Sequence, residues 1–580
     1  MSFETDYPTL NTVIHLIDNY LKITYPDFFE STPQHPHLKL KPYKVIHDNL
    51  WGTNQFSWCE LALIDSPIMQ RLRDIHQVGL AFYVYPSARH TRFEHCLGTT
   101  IIASRVFDAL LQREQKNIKN IAQETEGDLS NNSYKTQWRQ DLRFAALLHD
   151  TGHSLFSHAS EQVYKDLNIL KKATEELTSF VGKKKGEGEV ISFCIARTDS
   201  IHNLITYAKR QLLSGSEYDP EPDLNNVSLL IVGRSKHPFL QFIGDILSSG
   251  FDCDKLDYLL RDAIAAGLPL RYDMDRYLYS VQLEKEKMVD GAGELKKFYT
   301  SISTKAINRH EGDSDLPYYE AYRLRLPREA MNTIEQIVIC KLMLFSYIYH
   351  HTKCRAAEGM LVKMLKGVVE QLNKDGKDDK KILEIFLNMT DSTHRSDNFC
   401  SSSDLWLSNY KYRLINRLLP REVYRIGGAI ASASDDRAII ADFIYKLQDP
   451  DYSDKIITEI EQKIGEQLIA TNSSLGITPQ QALESAGVWF DVPKIPKIED
   501  IHDLVTGRNS IGNGIELADL FPIDEWTQAY THYRYYVRIF AFSEHWEEVK
   551  IAAKKVFQVT APLNKIKDNS FYEKAQRNRL

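Results

Sequence analysis

The sequence predicts a mainly α-helical fold with a small β-hairpin insert and a mixed α+β C-terminal lobe. Three observations predict it. Apolar residues recur at helical spacing over long runs, above all at 326–372 (LPREAMNTIEQIVICKLMLFSYIYHHTKCRAAEGMLVKMLKGVVEQL). Extended stretches are short and scattered. The composition is that of an ordinary soluble globular chain, 43% hydrophobic and 26% charged over 580 residues.

In chain order, LNTVIHLIDNYL is an amphipathic helix, and STPQHPHLKLKP after it reads as a connector. KVIHD and AFYVYPSA look extended. SPIMQRLRDIHQVGL looks helical, with Pro67 suited to a first turn. The polar stretch 111–138 reads as a loop or exposed helix end, and WRQDLRFAALLHD resumes the helix. VGKKKGEGEV, a solvated charge run, reads as a mobile loop. Residues 237–268 are largely helical with a break at SSG, and a hairpin-like segment covers about 276–312. The run 326–372 is one long helix or two consecutive ones. NKDGKDDKK at 373–381 is the best boundary, with 382–447 helical beyond it. VWFDVPKIPKI and YRYYVRIFAF give the tail its extended segments. These readings divide the chain into an N-terminal extension (1–42), a core (43–375) and a C-terminal lobe (376–580). No repeat of fixed period is present.

The net charge of −7 argues against a surface devoted to coating nucleic acid, though it leaves a local basic cleft open. No stretch approaches the roughly 20 unbroken apolar residues of a membrane helix. MSFETDYPTL lacks the basic and apolar regions of a secretory signal. Seven scattered cysteines without a CxxC pair point to reduced thiols in a cytoplasmic protein rather than a disulfide scaffold.

LLHDTGHSLFSH carries the chemistry. Helical spacing would put His149 and His153 on one face, as in HExxH metalloproteases. Asp150 is a methylene shorter than the required Glu, and Gly152 weakens the helix, so that reading is disfavoured. The adjacent pair His149–Asp150 can instead turn to one metal. Its other ligands must come from elsewhere, with His95 in RFEHCLGTT and Asp254 in FDCDKLDYLLRD as candidates. A lone His in an apolar helix is usually a core residue. The conjunction of three separate segments weighs against that.

RFEH, then HDTGHSLFSH, then DCDKLDYLLRD resembles the ordered signature of the HD-domain phosphohydrolases. LIDSPIMQRLRDIHQVGLAFYVYPSARHTRFEHCLGT and IYHHTKCRAAEGML are similar to the SAM-and-HD-domain deoxynucleoside triphosphate triphosphohydrolases and their bacterial relatives, without the SAM module. The resemblance implies an HD-domain helical core. It implies a divalent metal (Mg, Mn, Fe or Zn) on His95, His149, Asp150 and Asp254. Arg92, Lys255 and Tyr258 match phosphate-contacting positions. Lys341 stands where relatives have an arginine, keeping the charge but losing the bidentate fork. Gln77, Val78, Asp262 and Tyr349 match positions around the sugar; relatives often have Leu at the Val78 position and Gln at the His350 position. His153 and His158 fill the family's catalytic places. A further family histidine, followed by Glu, has its nearest counterpart at His202, followed here by Asn203. Asp65, Gln70 and Arg73 match positions that contact a guanine effector in regulated members. Dimers or tetramers are expected partners.

The expected reaction is dNTP plus water to deoxynucleoside plus triphosphate. A divalent ion activates water and offsets phosphoryl charge. Arg92, Lys255 and Lys341 grip the phosphates. His153 or His158 protonates the departing 5′-oxygen. The alternatives are an HD-type phosphodiesterase or nuclease, since the metal chemistry alone does not choose the ester, and a non-catalytic nucleotide-sensing protein. A membrane partner is not expected.

Overall fold

A computed structural model describes residues 6–30, 42–126, 133–212, 219–290, 293–302, 307–310, 316–391, 393, 405–426, 443–471, 476–495, 522, 525–526 and 536–559. The fold is mainly α, with small sheets of two or three strands. The helices used below are α1 (Pro8–Thr24), α2 (Trp58–Ile64), α3 (Arg92–Arg113), α4 (Ser133–Leu148), α5 (His158–Tyr164), α6 (Glu187–Ala196), α7 (Cys253–Ala265), α8 (Met331–Leu344) and α9 (Thr352–Lys374). The strands are β1 (Tyr43–Asp48) and β2 (Gly52–Ser57), an antiparallel hairpin; β3 (Gln282–Val289), β4 (Arg309–His310) and β5 (Tyr318–Arg325), in the order β3–β5–β4; and β6 (Arg421–Ile426), β7 (Trp489–Asp491) and β8 (Val537–Ala541), in the order β6–β8–β7.

The helix α3 packs on both α4 and α7, and this brings the site residues together. α4 is buried almost throughout from Trp138 to Leu148, which explains its dense apolar run. One buried ion pair ties it to α2: Arg143 Nε and Nη2 lie 2.6 and 2.9 Å from the two Glu60 oxygens. Arg143 also donates to the Gln55 carbonyl at 3.0 Å. Glu60 in turn accepts the Ser57 N–H at 2.7 Å, closing the first turn of α2. The N-terminal helix is fastened to the core through Glu176, which accepts the Leu10 N–H at 2.8 Å, and through Asp18, which accepts the Ser200 N–H at 2.8 Å.

Several local expectations need correction. AFYVYPSA is not extended: Gly79–Tyr83 form a short 3-10 helix, with Ala81 N–H on the Val78 carbonyl at 3.1 Å. A short buried apolar run reads the same in either conformation. The polar stretch 111–138 is largely helical, since α3 reaches Arg113 and a further helix spans Gln115–Thr125. VGKKKGEGEV is a connector of a few residues; Gly182 ends one helix, α6 begins at Glu187, and Lys185 is buried. The principal partner of β3 is β5 rather than β4, with a helix (Glu294–Ile302) inserted between. The run 326–372 is two helices, α8 and α9, joined by a π-helical turn at Phe345–Tyr349. The stretch 382–447 includes the strand β6. The connector 31–41 lies outside the described residues. Arg328–Tyr349 is, by length and composition alone, apolar enough to cross a membrane; it packs on α7 and is 44% buried. The six described cysteines are free and buried, and Cys400 lies outside the described residues.

Arg143→Leu leaves the Glu60 carboxylate buried without a countercharge. It should lower the stability of the fold by about 3–5 kcal/mol, read as a fall in the denaturant midpoint without a change in slope.

Candidate active site

The site is assembled at three helix ends. Arg92 and His95 lie on the first turn of α3, and Thr91 just before it bridges to His76. α4 stops at Leu148 because Thr151 turns the chain: its N–H and its hydroxyl both bond the Leu148 carbonyl, at 3.1 and 2.7 Å. His149 and Asp150 follow immediately, at the helix end rather than within it. α7 starts at the N-cap Asp252, whose carboxylate accepts the Lys255 N–H at 2.8 Å, and carries Asp254 on its first turn.

Four donor atoms converge. His95 Nε2 lies 2.9 Å from Asp254 Oδ1 and 3.6 Å from Asp150 Oδ2. His149 Nε2 lies 3.5 Å from Asp150 Oδ1 and 3.7 Å from Asp254 Oδ1. The tautomers follow from the other ring nitrogens. His149 Nδ1 faces the Ala146 carbonyl at 2.8 Å and must donate to it. His95 Nδ1 faces the Asp257 carboxylate at 2.7 Å. Both Nε2 atoms therefore offer lone pairs toward two carboxylates, and His149 Nε2 is buried with no hydrogen-bond partner. Lone pairs and anions facing one point need a cation there, and an N₂O₂ set suits a divalent metal with positions left for water and substrate.

The electrostatics agree. Burial alone would lower the His95 imidazole, but its Asp254 and Asp257 hydrogen bonds overcome this and lift it to about 10. Burial would raise Asp150; Arg92, then His149, hold it well below the carboxylate range instead. Burial likewise opposes ionisation of Asp257, and Arg261 chiefly brings it down to about 2. Asp254 and Asp257 favour a proton on His95, and a metal taken up at His95 Nε2 would displace it.

A second group adjoins the first. His153 Nε2 lies 3.1 Å from Asp150 Oδ1. Its Nδ1 is 2.8 Å from Glu161 Oε1, an ion-pair separation off the hydrogen-bonding direction. The other Glu161 oxygen meets His158 Nδ1 at 3.0 Å. Burial would raise Glu161, but His153 and then His158 hold it well below its usual range. His158 is 77% exposed, so it faces outward from this relay. The loop between the two histidines turns sharply, with Phe156 and Ser157 at φ of 52° and 57°. Asp391 secures it by accepting the Phe156 N–H, and the Ser157 hydroxyl donates to the His76 carbonyl at 2.6 Å. Arg71 holds the Thr151 carbonyl at 2.7 Å. Gly152 and Gly188 let this loop lie directly on α6, since a Cβ on Gly152 would stand 2.1 Å from the Gly188 carbonyl oxygen.

The proposed substrate residues fall into two sets. Asp254, Tyr258 and Asp262 form one stripe along α7. The Tyr349 hydroxyl donates to Asp262, whose other oxygen is 2.7 Å from His90 Nε2. Gln77 joins this end through its N–H on the His90 carbonyl at 3.0 Å, and its side-chain oxygen is buried without a partner. Val78 is buried beside it. Arg92 is also in place: Nη1 pairs with Asp150, Nε bonds Ser157 Oγ at 2.9 Å, and Nη2 is buried without a partner. Lys255 is not brought to the donors, because its ammonium bonds Asp252 at 2.7 Å and the Ser249 carbonyl at 2.8 Å. Lys341 lies half-buried on α8. His350 is buried and held neutral, at about 3, by burial and then Arg355.

His202 is exposed on the helix Asp199–Arg210 and does not take the catalytic place considered for it. The segment lying against His153 is instead the start of α6, where a Cβ on Gly188 would be 3.1 Å from the His153 ring. Asp65, Gln70 and Arg73 cluster on the surface. Gln70 donates to the Ile64 carbonyl at 2.7 Å and accepts from Arg73 Nε at 2.9 Å, and the Arg73 guanidinium covers the Phe93 ring. A local structural role accounts for those contacts.

Sequence reasoning missed four residues. Asp257 was legible as the second acid of DKLDYLLRD, one turn after Asp254. Glu161 was legible as the acid one turn after His158. His90 and Asp391 carry no local signal, because their partners are distant in the chain.

Residues 92–208 match the HD domain family, and this stretch contains His95, His149 and Asp150. That stretch is similar to the HD domain, and three of the four converging donors lie within it. The particular relatives are more varied. The chain is 31% identical over 245 residues to the deoxynucleoside triphosphate triphosphohydrolase SAMHD1 of Bos taurus, covering 40% of this chain and 38% of that one. It is 27% identical over 268 residues to the SAMHD1 homolog of Dictyostelium discoideum (46% and 45%). It is 26% identical over 335 residues to an uncharacterized protein of Methanocaldococcus jannaschii (58% and 52%). The chain thus spans about half the length, or less, of the curated relatives it matches. The fold is similar to that of a hypothetical protein from Aquifex aeolicus, with a TM-score of 0.52 at 19% identity over 88% of this chain and 99% of that one.

Asp257 orients His95 and is itself held by Arg261 at 2.7 Å. Asp257→Asn should weaken metal binding about 10–100-fold, measured by competition with a chelator. Gly98→Ala should act in the same direction, since its Cβ would stand 2.0 Å from Asp257 Oδ1.

Proposed function

We propose that this protein is a metal-dependent deoxynucleoside triphosphate triphosphohydrolase that converts a dNTP and water to deoxynucleoside and triphosphate. The observation that carries the reading is the convergence of His95, His149, Asp150 and Asp254 beside the His153–Glu161–His158 relay. The SAMHD1 relatives, at 27–31% identity, support the choice of substrate.

When bound, the metal supplies an activated water and charge compensation at the reacting phosphorus. The remaining work belongs to side chains. Arg92 Nη2 has no partner inside the protein and is free to hold a phosphoryl oxygen. His158, outward-facing and backed by the Glu161 carboxylate, gives its proton to the 5′-oxygen as the phosphorus–oxygen bond breaks. His153 lies between Asp150 and Glu161, so it fixes the carboxylates at either side. Asp262 and Tyr349 offer hydrogen-bonding groups at the sugar end, where Val78 leaves more room than a Leu would. Assembly as a symmetric homo-oligomer is part of this proposal.

Purified protein with Mg, Mn, Fe or Zn and a panel of dNTPs should release intact inorganic triphosphate and deoxynucleoside, identified by mass spectrometry. Release of pyrophosphate or orthophosphate overturns the reaction, and cleavage of single-stranded DNA or RNA in place of dNTPs moves the site to a phosphodiester. Asp150→Ala should lose both bound metal and turnover. Glu161→Gln should keep the metal and lower kcat by about 10²-fold or more, the usual worth of a positioned general acid.

A further inference from the structure

The imidazole of His153 has a ring nitrogen that the proton transfer assigned to His158 does not use. His153 is only 6% exposed. Its Nε2 lies 3.1 Å from Oδ1 of Asp150, the carboxylate that Arg92 pairs with, so Nε2 carries the proton and donates it to that hydrogen bond. The neutral ring then presents a lone pair at Nδ1. That atom is buried without a hydrogen-bond partner, yet it stands 2.8 Å from Glu161 Oε1. A lone pair set against a carboxylate needs a cation between them. The direction tells which kind. An oxygen that accepts a proton from Nδ1 lies on the lone-pair axis, whereas one that shares a metal ion with Nδ1 lies to the side of it. Glu161 Oε1 lies to the side.

Glu161 and His158 complete a set of donors. They are three residues apart on α5 and share one face of it. His158 Nδ1 lies 3.0 Å from Glu161 Oε2. The His153 and His158 rings stand nearly perpendicular, at 89°, with centroids 5.3 Å apart. One ligand atom from each of the three residues falls within 4.8 Å of the others. Two imidazoles and a carboxylate suit a borderline divalent ion such as zinc. Magnesium prefers oxygen throughout. The outward-facing His158 gives an ion a way in from solvent and leaves a position for water.

We propose that His153, His158 and Glu161 form a second metal site, separate from the His95–His149–Asp150–Asp254 set, which takes zinc and switches the enzyme off. The ion occupies the Nδ1 lone pairs of both histidines, and any proton held there passes to solvent. The metal-bound ring of His158 is then neutral, and a neutral imidazole is a far weaker acid than imidazolium. It no longer protonates the departing 5′-oxygen. The inhibition rests on the triphosphohydrolase reading; the metal site does not.

The test titrates zinc into full-length protein by calorimetry, counts the bound ion by atomic absorption after gel filtration, and measures dNTP turnover in parallel. Wild type should hold two equivalents. Asp254→Ala should lose the first and keep the second. His158→Ala, a change at an exposed side chain, should do the reverse, and Glu161→Gln should also hold one. Filling the second site should lower wild-type turnover about 10²-fold, the worth of a positioned general acid. The residual turnover of Glu161→Gln should not respond. A wild type that holds one equivalent overturns the site, and so does a second equivalent that survives both His158→Ala and Glu161→Gln. Two equivalents with undiminished turnover overturn the inhibition. A second equivalent that His158→Ala removes, in a protein that leaves dNTPs intact, overturns the substrate reading and keeps the site.

Discussion

Carboxylates and imidazole lone pairs crowd into one small volume, and the rest of the molecule is arranged around that electrostatic constraint. Asp150, Asp254 and Asp257 surround His95, with His149 beside them. Left alone, such a group would repel itself and protonate. Arg92 balances one side through Asp150 and Arg261 the other through Asp257. Arg261 also reaches Asp48 in the turn of the β1–β2 hairpin, and Trp51 from that turn donates to Asp257. The hairpin is therefore a support for His95, two layers away from the metal donors.

Helix ends make this placement feasible. A side chain in the middle of a buried helix faces hydrocarbon, whereas one at a terminus can turn away from the axis toward a cleft. His95 and Asp254 lie on first turns, and His149 and Asp150 follow a last one. The loop from Thr151 to Ser157 then keeps His153 and His158 within reach of one Glu161. Its two positive-φ residues are a local cost, and Asp391 and Ser157 hold them there through bonds to distant backbone. Strain, relay and two of the four donors, His149 and Asp150, thus occupy one continuous piece of chain.

The sheet β6–β8–β7 is joined to this centre by charge as well as by packing. Asp491, Arg355, Arg538 and Glu358 form a connected network next to His350. Removing Asp491 would strip both Arg355 and Arg538 of their shared buried carboxylate, so that one residue holds the sheet and α9 in one relative position. That fixes Tyr349 against Asp262 at one end of the site.

The sequence by itself determined the helical class and the start of α7 after the SSG break, and it named the candidate metal donors through RFEH, HDTGH and DCDKLDY. Those signals are local: helical periodicity and ligand types at short spacing survive in a one-dimensional reading. It misread AFYVYPSA and VGKKKGEGEV, because a short apolar or charged run takes its conformation from what it packs against. Tertiary structure alone decided that Lys255 turns to Asp252, that His202 lies on an exposed helix, and that His90 and Asp391 join the site. His90 and Asp391 take partners far apart in the chain, and hydrogen bonds of that kind leave no periodicity behind.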